Sequence, residues 1–278
     1  MSEPAGPPPA AVPPAPLVRL SATLTGPPQA PVLILGNSLG TTREMWEPQL
    51  ARLGEHFRLL RYEHRGHGGS PAPPGPYSLA DLGTDVLRVL DDFGVTRAAY
   101  CGLSLGGMVG MWLAANAPGR IGALAVCCST AHFPQPALWT QRAATVRAEG
   151  MAAIAGQVVG RWFTPAFTRA DPATPARFVT TLETVTPEGY AGCCEAIGAM
   201  DLRPTLPAIT APTLVIAGSE DPATPPWHGA VIARGIPGAR LRVVRGAAHL
   251  ANVSAPGEVT AALAGHLLAA VGRAGSPG

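Results

Sequence analysis

The sequence predicts an α/β fold: a mostly parallel sheet flanked by helices and interrupted by a helical insertion. Three observations predict it. Short apolar runs of strand character alternate with segments of helical periodicity along most of the chain. The runs Val32 to Leu35 (VLIL) and Thr213 to Ala217 (TLVIA) are continuous rather than alternating, as strands buried on both faces are. From His132 to about Pro207 the strand pattern stops and only helical patterns remain.

Taken in order, Val18 to Leu24 alternates apolar and polar residues and predicts a half-buried strand. Val32 to Leu35 predicts a buried strand that ends at Gly36 and Asn37, and Phe57 to Tyr62 predicts another, ending in the glycine-rich HRGHGGS. Ser78 opens a helix with Asp81 as its capping-box partner. Leu79, Leu82, Val86, Leu90 and Phe93 fall at helical spacing along it, and Gly94 stops it. Ala98 to Cys101 reads as a strand, Leu105 to Ala117 as a helix and Ile121 to Cys128 as a strand. After the helical insertion come the strand Thr213 to Ala217, a helix near Trp227, the strand Leu241 to Val244 and a terminal helix through Leu267. The chain therefore divides into a Pro/Ala-rich disordered tail (1–16), a first part of the core (17–131), a helical cap (132–207), a second part of the core (208–271) and a flexible tail (272–278).

Composition excludes several functions. With 47% hydrophobic and 14% charged residues the chain buries a sizeable core. A net charge of +2 gives no field for nucleic acid or an anionic membrane. All 20 basic residues are arginine, which removes lysine Schiff bases and Walker-type phosphate loops. Five cysteines, two pairs of them adjacent, fit neither a disulfide framework nor a CxxC zinc site and read as reduced thiols. The N-terminus lacks the basic and apolar regions of a signal peptide, and no apolar run reaches the ~20 residues of a membrane span. A cytoplasmic protein is expected.

The strongest chemical signal is Gly102-Leu103-Ser104-Leu105-Gly106 between a predicted strand and a predicted helix. A serine on that sharp turn has strained backbone angles, so its neighbours two residues away must be nearly free of side chain. The turn presents the serine hydroxyl at a helix N-terminus, where developing negative charge is favoured. The motif lacks the GxGxxG spacing of a dinucleotide fingerprint. Serine needs a base, and of seven histidines His249 lies in the loop after the last predicted strand. His56 and His266 read as helix-surface residues, His228 as a helix residue behind the acid loop, and His132 as a residue of the cap boundary. The base needs a carboxylate to fix its tautomer, and Asp221 follows TLVIA, with Glu220 read as solvent-facing. The order Ser, Asp, His is that of the α/β-hydrolase fold.

The oxyanion hole is expected at the Leu105 N–H and, in the GNSLG loop after VLIL, at the Ser38 N–H. His64, His67 and Glu63 read as a turn bracing the loops beneath the nucleophile rather than as a metal cluster.

Three stretches, GNSLGTTREMWEPQ, RYEHRGHGGSPAPPGPYSLADLG and CGLSLGGMVGMWLAANAPGRI, together with GSEDPATPP and AAHLAN, resemble the 3-oxoadipate enol-lactonases. The resemblance runs from Val18 to Leu268 and implies opening of an enol-lactone to 3-oxoadipate in aromatic catabolism, with no cofactor. It carries the catalytic roles to Ser104, Asp221 and His249. Glu63 stands where an aspartate is usual, and Leu105 where methionine is common. The implied partner is a small anionic lactone, so a cation belongs in the pocket. Arg142, one helical turn beyond Trp139, is the expected one, with Tyr190 lining the cap and Arg147 and Arg161 as lesser candidates. A general carboxylesterase, or an esterase with perhydrolase side activity, shares the triad but needs no cap arginine, and a silent ligand receptor would not need the intact triad. A dehalogenase would carry aspartate at the nucleophile.

Overall fold

The structure, a computed structural model, describes residues 18–274. Among them the sheet has seven strands: β1 (Ala22–Thr25), β2 (Val32–Gly36), β3 (Arg58–Tyr62), β4 (Ala98–Leu103), β5 (Ile121–Cys127), β6 (Thr213–Gly218) and β7 (Arg240–Val244). Their spatial order is β1-β3-β2-β4-β5-β6-β7, parallel throughout except for the antiparallel β1–β3 pair. Leu33, Ile34, Leu35, Tyr100 and Leu124 are completely shielded from solvent, as the continuous apolar runs require.

The helices cover both faces. α1 (Glu47–Gly54) precedes β3, and α2 (Leu79–Asp92) follows it. α3 (Leu105–Asn116) leaves the end of β4. Between β5 and β6 the chain makes only helices: α4 (Pro136–Glu149), α5 (Ala152–Val159), α6 (Pro165–Ala170), α7 (Ala173–Glu183) and α8 (Pro187–Ala199). α9 (Pro226–Gly235) links β6 to β7, and the short α10 (Ala251–Ser254) leads into α11 (Pro256–Ala274). At α2 the capping box is complete: Ser78 accepts from the Asp81 N–H while the Asp81 carboxylate accepts from the Ser78 N–H.

Three sequence expectations move. The first strand begins at Ala22, although Val18 and Leu20 are buried ahead of it; Ser21 N–H is spent on Ser70 Oγ and does not join the β1–β3 ladder. α11 continues to Ala274, three residues into the segment expected to be a flexible tail, while the expected 1–16 tail lies outside the described residues. His266 does not face water: it is buried on α11, its Nε2 against the carbonyls of Leu124 and Pro212.

Strand order reverses between β2 and β4, because the chain goes from β2 to β3 on one side and then crosses to β4 on the other. Loops leaving the carboxyl ends of such strands diverge and open a crevice. Two of them are the Ser38 loop and the Ser104 turn.

Candidate active site

Ser104 has φ 55° and ψ −116°, a conformation that L-residues rarely adopt and that costs about 1–3 kcal/mol. Its neighbours make the turn possible. A Cβ on Gly102 would come within 2.2 Å of the Gly106 carbonyl oxygen, and one on Gly106 within 2.3 Å of the Gly36 carbonyl oxygen. The turn is pinned by Ser104 N–H to the Cys127 carbonyl, Gly106 N–H to the Asn37 carbonyl and Ser129 Oγ to the Ser104 carbonyl, at 2.8–2.9 Å. Ser104 Oγ itself has no hydrogen-bond partner among the described residues, and its residue lines a cavity of about 310 Å³ shared with His249.

His249 and Asp221 are buried and joined through Nδ1 and Oδ2 at 2.8 Å. Asp221 also accepts from Thr224 Oγ1 at 2.7 Å and, on its other oxygen, from the Ala223 and Thr224 amides. Burial alone would raise the Asp221 pKa; His249 and these donors outweigh it and hold the carboxyl below its ordinary value. With Asp221 ionised, Nδ1 carries the proton and Nε2 is left as the acceptor a general base needs. Glu220 is exposed.

The turn beneath is a braced scaffold. His64 Nε2 bonds the Asn37 carbonyl; Gly40 N–H donates to His67 Nε2, so His67 Nδ1 donates to the Arg65 carbonyl. Burial keeps both rings neutral, with pKa values lowered to about 3 and about 4. Glu63 accepts from Asn37 Nδ2 and from the Arg43 N–H.

The structure adds one detail at the expected oxyanion hole. The Ser38 N–H does not stand free toward the nucleophile: it donates to Met45 Sδ at 3.2 Å, a weak acceptor. Nothing in the sequence signalled that Met45, seven residues on, folds back on this amide. Ser38 and its neighbour Leu39 still line the cavity, and the Leu39 N–H has no acceptor among the described residues.

The helices between β5 and β6 wall part of the cavity. Trp139, Arg142 and Tyr190 all line it. The Arg142 guanidinium lies 4.8 Å from the Trp139 ring centre, as their spacing on α4 predicts, and shares the cavity wall with Tyr190. Arg147 faces away and is occupied by Glu188 and Glu195 of α8. Sequence reasoning gave no site role to His228, Trp162, Phe133 or Trp227, yet all line the cavity. His228 is buried, its pKa lowered to about 4 mainly by desolvation, with Nδ1 at 2.6 Å from Thr130 Oγ1. No motif marks these residues, because packing of the cap onto the core brings them together.

Comparison with known proteins agrees with this architecture. Residues 31–256 match the family model described as alpha/beta hydrolase fold. The chain is 39% identical over 239 residues to 3-oxoadipate enol-lactonase 2 of Acinetobacter baylyi, covering 86% of this chain and 89% of that protein. It is similar to the crystal structure of the enol-lactonase from Burkholderia xenovorans LB400, with 42% identity, a TM-score of 0.88 and coverage of 90% and 97%. A hydrolase from Pseudomonas aeruginosa PA01 superposes with a TM-score of 0.87 at 45% identity, over 90% of this chain and 94% of that one.

Proposed function

The chain is an enzyme of the alpha/beta hydrolase fold family and belongs within it to the 3-oxoadipate enol-lactonases, and on that premise we propose that it opens 3-oxoadipate enol-lactone to 3-oxoadipate through an acyl-enzyme on Ser104. The observation that carries this reading is one cavity holding Ser104, His249 on Asp221, and an arginine stacked on Trp139.

His249 Nε2 takes the Ser104 proton as Oγ attacks the lactone carbonyl. The tetrahedral oxygen is received by the Leu105 N–H and the Ser38 N–H, for which an oxyanion is a far stronger acceptor than the Met45 thioether. Collapse breaks the acyl–oxygen bond, and the ring oxygen leaves with the electron pair as an enolate. That is a better leaving group than an alkoxide; it takes up the proton held by His249 and ketonises. Water, deprotonated by His249, then releases the acyl group and restores Ser104. Arg142 holds the substrate carboxylate, with Trp139 and Tyr190 fixing its position. A place in aromatic catabolism and a cytoplasmic setting belong to the same reading, the latter supported by five buried free thiols.

A general carboxylesterase is the second reading, favoured by the exposed apolar residues Leu138 and Trp227 at the cavity. A spectrophotometric assay of enol-lactone opening separates the two. Wild type turns the lactone over, and Ser104→Ala lowers kcat roughly 10⁶-fold without changing the melting temperature. Wild type that ignores the lactone but cleaves aryl esters through Ser104 selects the esterase.

A further inference from the structure

Arg142 and Arg161 line the same cavity as Ser104, and neither forms an ion pair with a carboxylate among the described residues. Arg161 sits in the turn after α5, next to Trp162, whose carbonyl accepts the N–H of Leu250 at 3.0 Å. The turn that carries this guanidinium is thus fastened to the residue that follows His249. Desolvation, and then repulsion from Arg142, lower the Arg161 pKa from its ordinary value, with Tyr190 and Asp221 acting the other way. Two like charges held half-buried in one cavity are costly when the cavity is empty. A ligand with two neighbouring negative centres offsets that cost.

The substrate read above carries one negative charge in its ground state, and Arg142 suffices for it. A second charge, carried first by the carbonyl oxygen in the oxyanion hole, passes to the ring oxygen during ring opening. In the enol-lactone, the carbon bearing that oxygen and one methylene are all that separate it from the carboxylate. The two centres are therefore neighbours in the substrate, and the two arginines line one cavity.

We propose that Arg161 is a catalytic residue that donates to the lactone ring oxygen as the acyl–oxygen bond breaks, while Arg142 holds the adjacent carboxylate. In this step the electron pair of the broken bond goes to the ring oxygen, whose charge Arg161 receives. The proton that His249 took from Ser104 then passes to the enolate. The guanidinium stays protonated throughout and acts as a hydrogen-bond donor whose grip tightens in the transition state. This assignment rests on the enol-lactone reading of the site, and it identifies the substrate class as esters of an enolised 3-oxo acid.

The test compares wild type, Arg161→Gln and Arg161→Lys on the enol-lactone, and on aryl acetates of graded phenol acidity. Arg161→Gln should lower kcat on the lactone about 100-fold with KM little changed, and should steepen the dependence of acylation rate on leaving-group acidity. Arg161→Lys should recover part of kcat, since a charge without the guanidinium fork remains. A rise in KM with kcat intact, or an unchanged leaving-group dependence, overturns the proposal. So does weaker inhibition by 3-oxoadipate with kcat unchanged, which would make Arg161 a product-carboxylate site. If wild type does not open the lactone but the aryl series still steepens in Arg161→Gln, the enol-lactone reading fails while leaving-group assistance by Arg161 stands.

Discussion

Three arginines of this chain meet three different fates. Arg65 is completely buried beneath the site, with Nη2 at 2.9 Å from Asp85 Oδ1 and Nε on the other carboxylate oxygen. Arg147, on the outer side of α4, bridges Glu188 and Glu195 and so staples α4 to α8; Glu188 also accepts from the Gly75 N–H. Arg142 lies on the same helix and faces the cavity beside the Trp139 ring, with Tyr190 and Arg161 in the same wall and no ion pair to a carboxylate among the described residues. Where the charge is matched by a carboxylate the arginine fixes structure. Where it is left unmatched, the counter-charge is expected to arrive with the ligand.

Removing a matched partner is the most disruptive way to test this. Arg65→Met leaves Asp85 buried without its cation, which typically costs about 3–5 kcal/mol. Val18 N–H at 3.3 Å is the further donor left to that carboxylate. Thermal or urea unfolding should show the loss, and the double change Arg65→Met with Asp85→Leu should regain most of it. If the double variant is no better than the single one, the ion pair is not what Arg65 contributes.

Removing an unmatched arginine should do the opposite: little to stability and much to binding. Arg142→Ala gives up a charged hydrogen bond to the substrate carboxylate, about 1.5–3 kcal/mol, so KM for the lactone should rise roughly 10–100-fold. KM for a neutral aryl ester should hardly move, and the melting temperature should stay put. Equal effects on the two substrates would mean that Arg142 serves the cap rather than the ligand.

The two classes of arginine were not equally legible. Ser104, Asp221 and His249 could be picked out because each sits on the turn or loop that follows a strand, where local sequence marks the chain's path. The sheet is legible for the same reason: continuous apolar runs in β2 and β6 leave no other place for those residues. Arg142 with Trp139 is a contact within one helix and could be read from spacing alone. Arg161, His228 and the burial of His266 depend on which distant element packs against them, and nothing local encodes that. The Ser38 amide was placed by analogy with a loop, and the sulfur that intercepts it comes from a side chain seven residues on.

Glu63 sharpens the comparison from the other side, because it is a buried carboxylate with only loose charge compensation. The nearest guanidinium nitrogen, Arg43 Nε, is 3.7 Å away, and the side chain is 2% exposed. Desolvation pushes its pKa up to about 7; the Arg43 amide, the Arg43 guanidinium and Arg61 pull it down, while Glu44 pushes it further up. Between the ordinary value of 4.5 and about 7 the folded protein keeps a proton that the unfolded chain has lost. Fewer protons bound in the unfolded state means that stability falls as pH rises through that window, and levels off above it. Glu63→Gln cannot ionise, yet it keeps an acceptor for Asn37 Nδ2, so its stability curve should lack that fall. Melting temperatures measured at about pH 5 and pH 8 should therefore show the variant gaining on wild type at the higher pH. A constant difference between the two curves would mean that Glu63 is already ionised in the folded protein, with Arg43 compensating it as fully as Arg65 compensates Asp85.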